Sequence, residues 1–135
     1  MYKNLTINSL DSRSKWKATD LFETMAQGGT SGVYGAYFDM DAEGGKYLVI
    51  VQNASESNNK KVGLKAGKSM FAQASDIEVT LDAGDSAFLQ PDSGVSKIVA
   101  PTTAYASDIP STTSPMGKVF LTADFAAKIV VFKEV

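Results

Sequence analysis

The sequence contains neither cysteine nor histidine, and these two absences exclude much of the chemistry that proteins carry out. Without cysteine there are no disulfides or thiol nucleophiles, and without histidine there is no imidazole base. The common zinc-ligand sets are missing as well. A carboxylate pair for hydrolysis is conceivable, but nothing in the sequence selects two from the fifteen Asp and Glu residues. We therefore expect no catalytic residues, no metal and no cofactor.

Arginine, net charge and long hydrophobic runs are also scarce. Arg13 is the only arginine, and the net charge is -2. Because basic residues bind phosphate backbones and arginine reads guanine, we expect no nucleic-acid partner. The chain opens without the apolar core of an export signal. Its longest aliphatic and aromatic run, residues 47–51, is far shorter than the ~20 residues that span a bilayer, so we expect a soluble protein without a membrane partner.

What the sequence does contain is typical of a single all-β domain. The chain has 135 residues, which is close to the commonest domain size. Of these residues 44% are hydrophobic, as in ordinary globular proteins. From Gly32 onward, short apolar stretches alternate with Gly, Asp, Asn, Ser and Pro. We predict one domain over residues 1–135, an antiparallel β-sandwich of seven to nine strands. Its wiring, immunoglobulin-like or jelly-roll-like, is left open.

Residues 1–31 are predicted to form an N-terminal arm that includes one short helix. In "ATDLFETMAQGG", Asp20 is placed to cap the helix and Glu23 stands three residues later, as in a capping box. Gly28 and Gly29 then supply a stop signal. The pattern predicts a helix over residues 20–27.

The strand predictions follow hydrophobic periodicity. "KYLVIVQN" is predicted to be a central strand covered on both faces, antiparallel to "GVYGAYFDM". "KKVGLKAG" alternates with period two, and "DIEVTLDAGDSAFLQ" is interpreted as a hairpin. "SKIVA" is a candidate short strand, and the proline-rich segment that follows is the longest predicted loop. Two strands, over residues 118–122 and 128–133, close the chain.

Two stretches resemble ligand-binding loops. In "VGLKAGKSM" only three residues separate Gly63 from Gly67, whereas a phosphate-binding P-loop needs four, so we interpret it as a strand and a turn. "DMDAEGG" resembles the start of a calcium loop, but Ile50 occupies the twelfth position, where a bidentate glutamate should stand. A solvated turn is the simpler interpretation.

The order of "KYLVIVQN", a polar loop, "KKVGLKAG", "SDIEVTLDAGDSAFLQPDSG" and "GKVFLTADFAAKIVVFKEV" resembles small β-sandwich head decoration proteins of tailed bacteriophages and prophages. The resemblance covers residues 46–135 and consists of strands and turns. It implies a non-enzymatic structural protein of the virion, made in the host cytoplasm, whose partner is the major capsid protein or the capsid lattice. Self-association is left open.

The contact surface is predicted from aromatic and apolar residues in irregular segments. Trp16 and Tyr105 lie outside the predicted strands, unlike Tyr37 and Tyr47, and are better candidates for a partner surface. The predicted partner-binding residues are Tyr2, Leu5, Ile7, Trp16 and Tyr105. The alternative function is a carbohydrate-binding or adhesin-like module that uses the loop around Tyr105.

Overall fold

The structure, a computed structural model, describes residues 1–10, 21–41, 46–67, 75–91, 96–99 and 102–134. These residues contain eleven β-strands and no helix long and apolar enough to cross a membrane. The strands are β1 (Lys3–Asn4), β2 (Ile7–Leu10), β3 (Glu23–Thr24), β4 (Ala26–Gln27), β5 (Tyr34–Asp39), β6 (Tyr47–Gln52), β7 (Lys60–Leu64), β8 (Ile77–Leu81), β9 (Ser86–Leu89), β10 (Lys118–Ala123) and β11 (Lys128–Glu134).

The strands form two packed sheets, which confirms the predicted all-β sandwich. Sheet A has the order β1-β5-β10-β7-β8, with β4 also paired to β5. Sheet B has the order β2-β11-β6-β9, with β3 also paired to β11. All pairs are antiparallel except β1 with β5 and β2 with β11. The N-terminal arm thus adds short strands to both sheets.

The main core lies between the sheets and is built from alternate residues of each strand. In β6, Val49 and Val51 are completely buried, while Leu48 and Ile50 point to the other face and are half-buried. The strand lies between β11 and β9, so its predicted central position is confirmed. Each buried valine contributes about 1.5–3 kcal/mol relative to an exposed one. Although residues 47–51 are all apolar, only alternate ones face the core, and the outer face, which was predicted to be covered, is half-buried.

Two predicted strand pairings are wrong. β5 and β6 do not pair, because β5 belongs to sheet A and β6 to sheet B. β8 and β9 likewise lie in different sheets, so residues 82–85 form a turn between the layers and not the tip of a hairpin. The predicted "SKIVA" strand is reduced to an isolated bridge between Lys97 and Val119. A strand buries alternate residues whichever strand it pairs with. The hydrophobic pattern therefore does not identify the partner strand.

The sheet order of the described strands differs from that of an immunoglobulin sandwich. An immunoglobulin sandwich groups its first, second, fifth and fourth strands in one sheet. In this protein, the seven strands β5 to β11 can be numbered one to seven in chain order. Sheet A then contains the first, sixth, third and fourth of them. The first two of them, β5 and β6, pair with the last two, β10 and β11, in opposite sheets. Jelly-roll wiring stays a prediction.

The helix predicted over residues 20–27 is wrong for residues 23–27, and Asp20 lies outside the described residues. β3 pairs with β11 and β4 with β5, and Met25 between them is buried in the core. The Glu23 carboxylate accepts the Thr6 backbone N–H at 2.7 Å instead of capping a helix. Tertiary pairing and the burial of one methionine override a local helix signal.

A second apolar cluster covers the outer face of sheet A. Tyr37 and Phe120 point away from the main core, and the long loop after Ile98 folds over them. Tyr105 from this loop stacks on Phe120, with ring centroids 4.0 Å apart and planes 10° from parallel. Ile109 is buried in the same cluster. The proline-rich segment is therefore a packed cover for the sheet.

Candidate interaction surface

One end of the sandwich gathers the amino terminus and four connections, a surface that we call the loop end. The connections are residues 28–33, 53–59, 82–85 and 124–127, which follow β4, β6, β8 and β10. The strand registers place them together, because β5, β7, β9 and β11 all begin where β6, β8 and β10 finish. Met1 at this end is 64% exposed. The loop end is thus a composite of segments that are distant in the sequence.

Asn53 fixes two of these connections to each other. Its side chain is fully buried at the end of β6. The Asn53 amide donates to the carbonyl oxygens of Ser57 at 2.8 Å and Leu81 at 3.2 Å, and its Oδ1 accepts from the N–H and hydroxyl of Ser55. Its backbone N–H donates to the Asp85 carbonyl at 2.9 Å. A satisfied buried amide of this kind makes the surrounding loops rigid.

The amino terminus is fixed in a similar way by Asp108. The Tyr2 N–H donates to the Asp108 carbonyl at 2.7 Å, and the Asp108 carboxylate accepts the Gly29 N–H at 2.8 Å. The Tyr2 ring lies against the backbone at Gly28 and Gly35, where a Cβ would fall within 3.0 Å of ring atoms. Burial and the nearby Asp108 charge raise the pKa of Tyr2. Both glycines make room for an aromatic ring, and Gly28, predicted to end a helix, follows strand β4 instead.

The loop end is rich in exposed carboxylates that also order the backbone. Asp82 accepts the Asn59 N–H at 3.1 Å, Asp124 accepts the Lys61 N–H at 3.0 Å, and Asp85 accepts the Asp82 N–H at 3.0 Å. Since each carboxylate is exposed and bonded to backbone, the charges are held in fixed positions. The result is a preorganised surface with mainly acidic and small polar side chains.

A shallow groove of about 250 Å³ runs along the outer face of sheet A beside β7 and β8. Its charged walls neutralise each other, since Lys65 pairs with Asp76 at 2.7 Å and Lys61 with Glu78 at 3.8 Å. The hydrogen bond from Lys65 lowers the pKa of Asp76. The floor includes Gly63, which carries no side chain to fill the space. These ion pairs are exposed and contribute little to stability.

The two loop-like sequence motifs have structural roles. Gly67 packs on the backbone of Lys97, where a Cβ would lie 2.7 Å from the carbonyl carbon. Residues 68–70 of the P-loop-like stretch lie outside the described residues. Asp39 pairs with Lys118 at 2.8 Å, and Asp41 with Lys133 at 2.8 Å. In the described part of the chain, no three acidic side chains gather as a metal site would require.

Asp41 also binds the hydroxyl of the buried Tyr47, which joins the end of β5 to the start of β6. Hydrogen bonds from Lys133 and then Tyr47 lower the pKa of the Asp41 carboxyl. Burial, followed by the bond to Asp41, raises the pKa of Tyr47. The carboxylate predicted to lie in a solvated turn therefore links the end of β5, a sheet A strand, to two strands of sheet B, β6 and β11.

The predicted partner-binding residues are placed in different environments. Tyr2 and Leu5 are only 8% and 6% exposed, and they pack in the outer cluster and the main core respectively. Ile7 is half-buried against the main core, and Trp16 lies outside the described residues. Tyr105 is half-buried with one ring face on Phe120, and burial raises its pKa to about 12. Their contact with a partner stays a prediction.

Sequence reasoning missed the most exposed large hydrophobic side chain of the described residues, Phe88, which is 72% exposed. It lies in β9 between Ala87 and Leu89, which turn toward the core. The prediction of a hairpin places this stretch in a strand but does not consider Phe88, although the alternation in "SAFL" indicates that its side chain points outward. A phenylalanine at a strand position whose side chain faces solvent is a signal of a candidate contact surface.

Comparisons with known proteins identify no family. No protein-family model matches the chain, and neither curated proteins nor solved structures give a match. The resemblance to head decoration proteins therefore stays a prediction that rests on residues 46–135.

Proposed function

We propose that this protein is a non-enzymatic structural protein that binds the assembled capsid of a phage or prophage and stabilises it from the outer surface. Its partner is the lattice of the major capsid protein, and its place is the virion. The proposal joins the strand-and-turn resemblance of residues 46–135 to one structural observation, the rigid loop end.

The loop end supports the proposal because it is a prearranged surface carried on a packed scaffold. Asn53 holds the β6–β7 connection and the β8–β9 turn in one geometry, and Asp108 ties Tyr2 to the β4–β5 turn. A surface that is already ordered loses little conformational entropy on binding. Since the fixed side chains are mainly acidic and polar, we expect a contact that depends on salt.

The stabilisation would arise from binding linkage. A protein that binds the lattice but not its dissociated subunits shifts the assembly equilibrium toward the capsid. At a free concentration 100 times the dissociation constant, each occupied site adds about 2.7 kcal/mol. Many copies on one particle multiply this effect without any single strong contact.

Co-sedimentation of the purified protein with its cognate capsids, at several salt concentrations, tests the proposal. We expect saturable binding that weakens as salt increases, and capsids that withstand higher temperature when decorated. Ala83→Arg places a bulky cation on the exposed turn of the loop end and should reduce binding by at least about tenfold, equivalent to about 1.4 kcal/mol.

Met116→Arg is the matched control, because Met116 is 42% exposed at the opposite end of the sandwich. It should leave capsid binding unchanged. Absence of co-sedimentation at every salt concentration would reject the capsid function. Saturable binding to an isolated sugar on a glycan array would favour the carbohydrate-binding alternative.

A further inference from the structure

We propose that two copies of this chain pair edge to edge through β9, so that the B sheets of both copies form one continuous sheet. β9 is the last strand of sheet B in the described part of the chain, since it pairs with β6 and with no other described strand. The inference is independent of the capsid function.

The backbone of β9 has hydrogen-bonding groups that face away from the sheet. The Asn53 N–H donates to the Asp85 carbonyl, and the register then pairs Gln52 with Ser86, Val51 with Ala87 and Ile50 with Phe88. Bonded and non-bonded pairs alternate along an antiparallel ladder. The N–H and C=O of Ser86 and Phe88 therefore point toward the outer edge, where another strand can accept and donate.

This edge lacks the charged side chains that proteins usually place on exposed strands. Residues 86–91, "SAFLQP", contain no charge, and Phe88 is 72% exposed. Charged side chains and bulges normally prevent such edges from pairing. The corresponding edge strand of sheet A, β8, carries Glu78 and is flanked by Asp76 and Asp82, so self-pairing there would bring carboxylates together.

Self-complementarity identifies a second copy as the occupant. In a two-fold antiparallel pair centred on Phe88, Asp85 would face Pro91 of the other copy, and Ser86 would face its Gln90. No like charges meet in this arrangement.

The same pairing would join the apolar rows on the outer faces of the two B sheets, one from each copy. Phe88 is opposite Ile50, which is opposite Val130, on the outer face of sheet B. In the pair the two Phe88 side chains would become cross-strand neighbours, a contact worth up to about 1 kcal/mol.

Sedimentation equilibrium tests the pairing. We expect the molar mass to increase from one copy to two between about 10 μM and about 1 mM, because two paired strands form an interface below the standard size. Phe88→Lys puts ammonium groups opposite each other and should weaken association at least about tenfold. Ser86→Pro removes an outward N–H at the first residue of the strand, where proline is tolerated, and should have the same effect.

Ile77→Lys is the control, because Ile77 is an exposed apolar residue of the other edge strand, β8. It should associate like the unaltered protein, and equal urea midpoints would show that all variants are folded. A mass of one copy at the highest concentration would overturn the proposal. A dimer that remains intact in Phe88→Lys would also overturn it. If the protein is a monomer and Phe88→Lys abolishes capsid binding, the proposal is likewise overturned and the β9 edge is assigned to the capsid contact.

Discussion

The buried amide of Asn53 donates to the backbone carbonyl of Leu81, 28 residues further along the chain, and so connects the end of a sheet B strand to the end of a sheet A strand. The hydrogen bond is 3.2 Å long and inaccessible to water. It lies beneath the loop end, and the position of that surface therefore depends on one side chain.

Replacing Asn53 by alanine should destabilise the protein by about 3 kcal/mol, because buried carbonyl and N–H groups lose their partners. Urea unfolding measures the change. Asn58→Ala is the matched control in the same connection: among the described residues, its exposed side chain accepts the Ala83 N–H alone, and a loss of about 1 kcal/mol or less is expected. Equal losses in both variants would contradict the role of Asn53.

Two glycines of the P-loop-like stretch should respond in opposite ways to alanine. Gly67→Ala forces a methyl group against the Lys97 backbone and should destabilise the fold by about 1–3 kcal/mol. At Gly63 the nearest atoms to an added Cβ are 3.9 Å away, so Gly63→Ala should be neutral or stabilise by about 0.5 kcal/mol. Thermal unfolding compares them. A larger loss at Gly63 would show that the packing described for these positions is wrong.

Alkaline pH should weaken the fold through its tyrosines. The pKa of Tyr105 is raised from 10.0 to about 12, mainly by burial, so the folded protein keeps a phenolic proton that the unfolded chain releases. Stability from this group is complete below pH 10 and is lost as the pH rises toward 12. Burial raises the pKa of Tyr2 and Tyr47 in the same direction.

Tyr105→Phe should keep the stacking on Phe120 and lessen the fall in urea midpoint above pH 10. In the phenolate absorbance of the folded protein, the component that titrates near pH 12 should be smaller in this variant than in the unaltered protein. If the midpoint of this variant falls as steeply as that of the unaltered protein, Tyr105 does not contribute to the alkaline loss.

The sequence by itself determined the class of the fold and the inward face of its longer strands. The alternation of Val62 and Leu64 with lysine and glycine in "KKVGLKAG" predicts their burial, and the predicted bounds of the last two strands nearly match β10 and β11. Burial of alternate side chains requires only that a second sheet covers the strand. Because this requirement concerns each strand separately, it is visible in the sequence as hydrophobic residues at every second position.

Only the tertiary structure decided which strands pair and which surfaces stay exposed. β5 and β6 are consecutive yet lie in opposite sheets, and residues 23–27 become edge strands because β11 and β5 offer them partners. Tyr2 is buried because residues from distant segments meet around it, while Phe88 is exposed because no described strand lies beyond β9. Such outcomes depend on contacts between residues far apart in the chain, and local periodicity does not encode them.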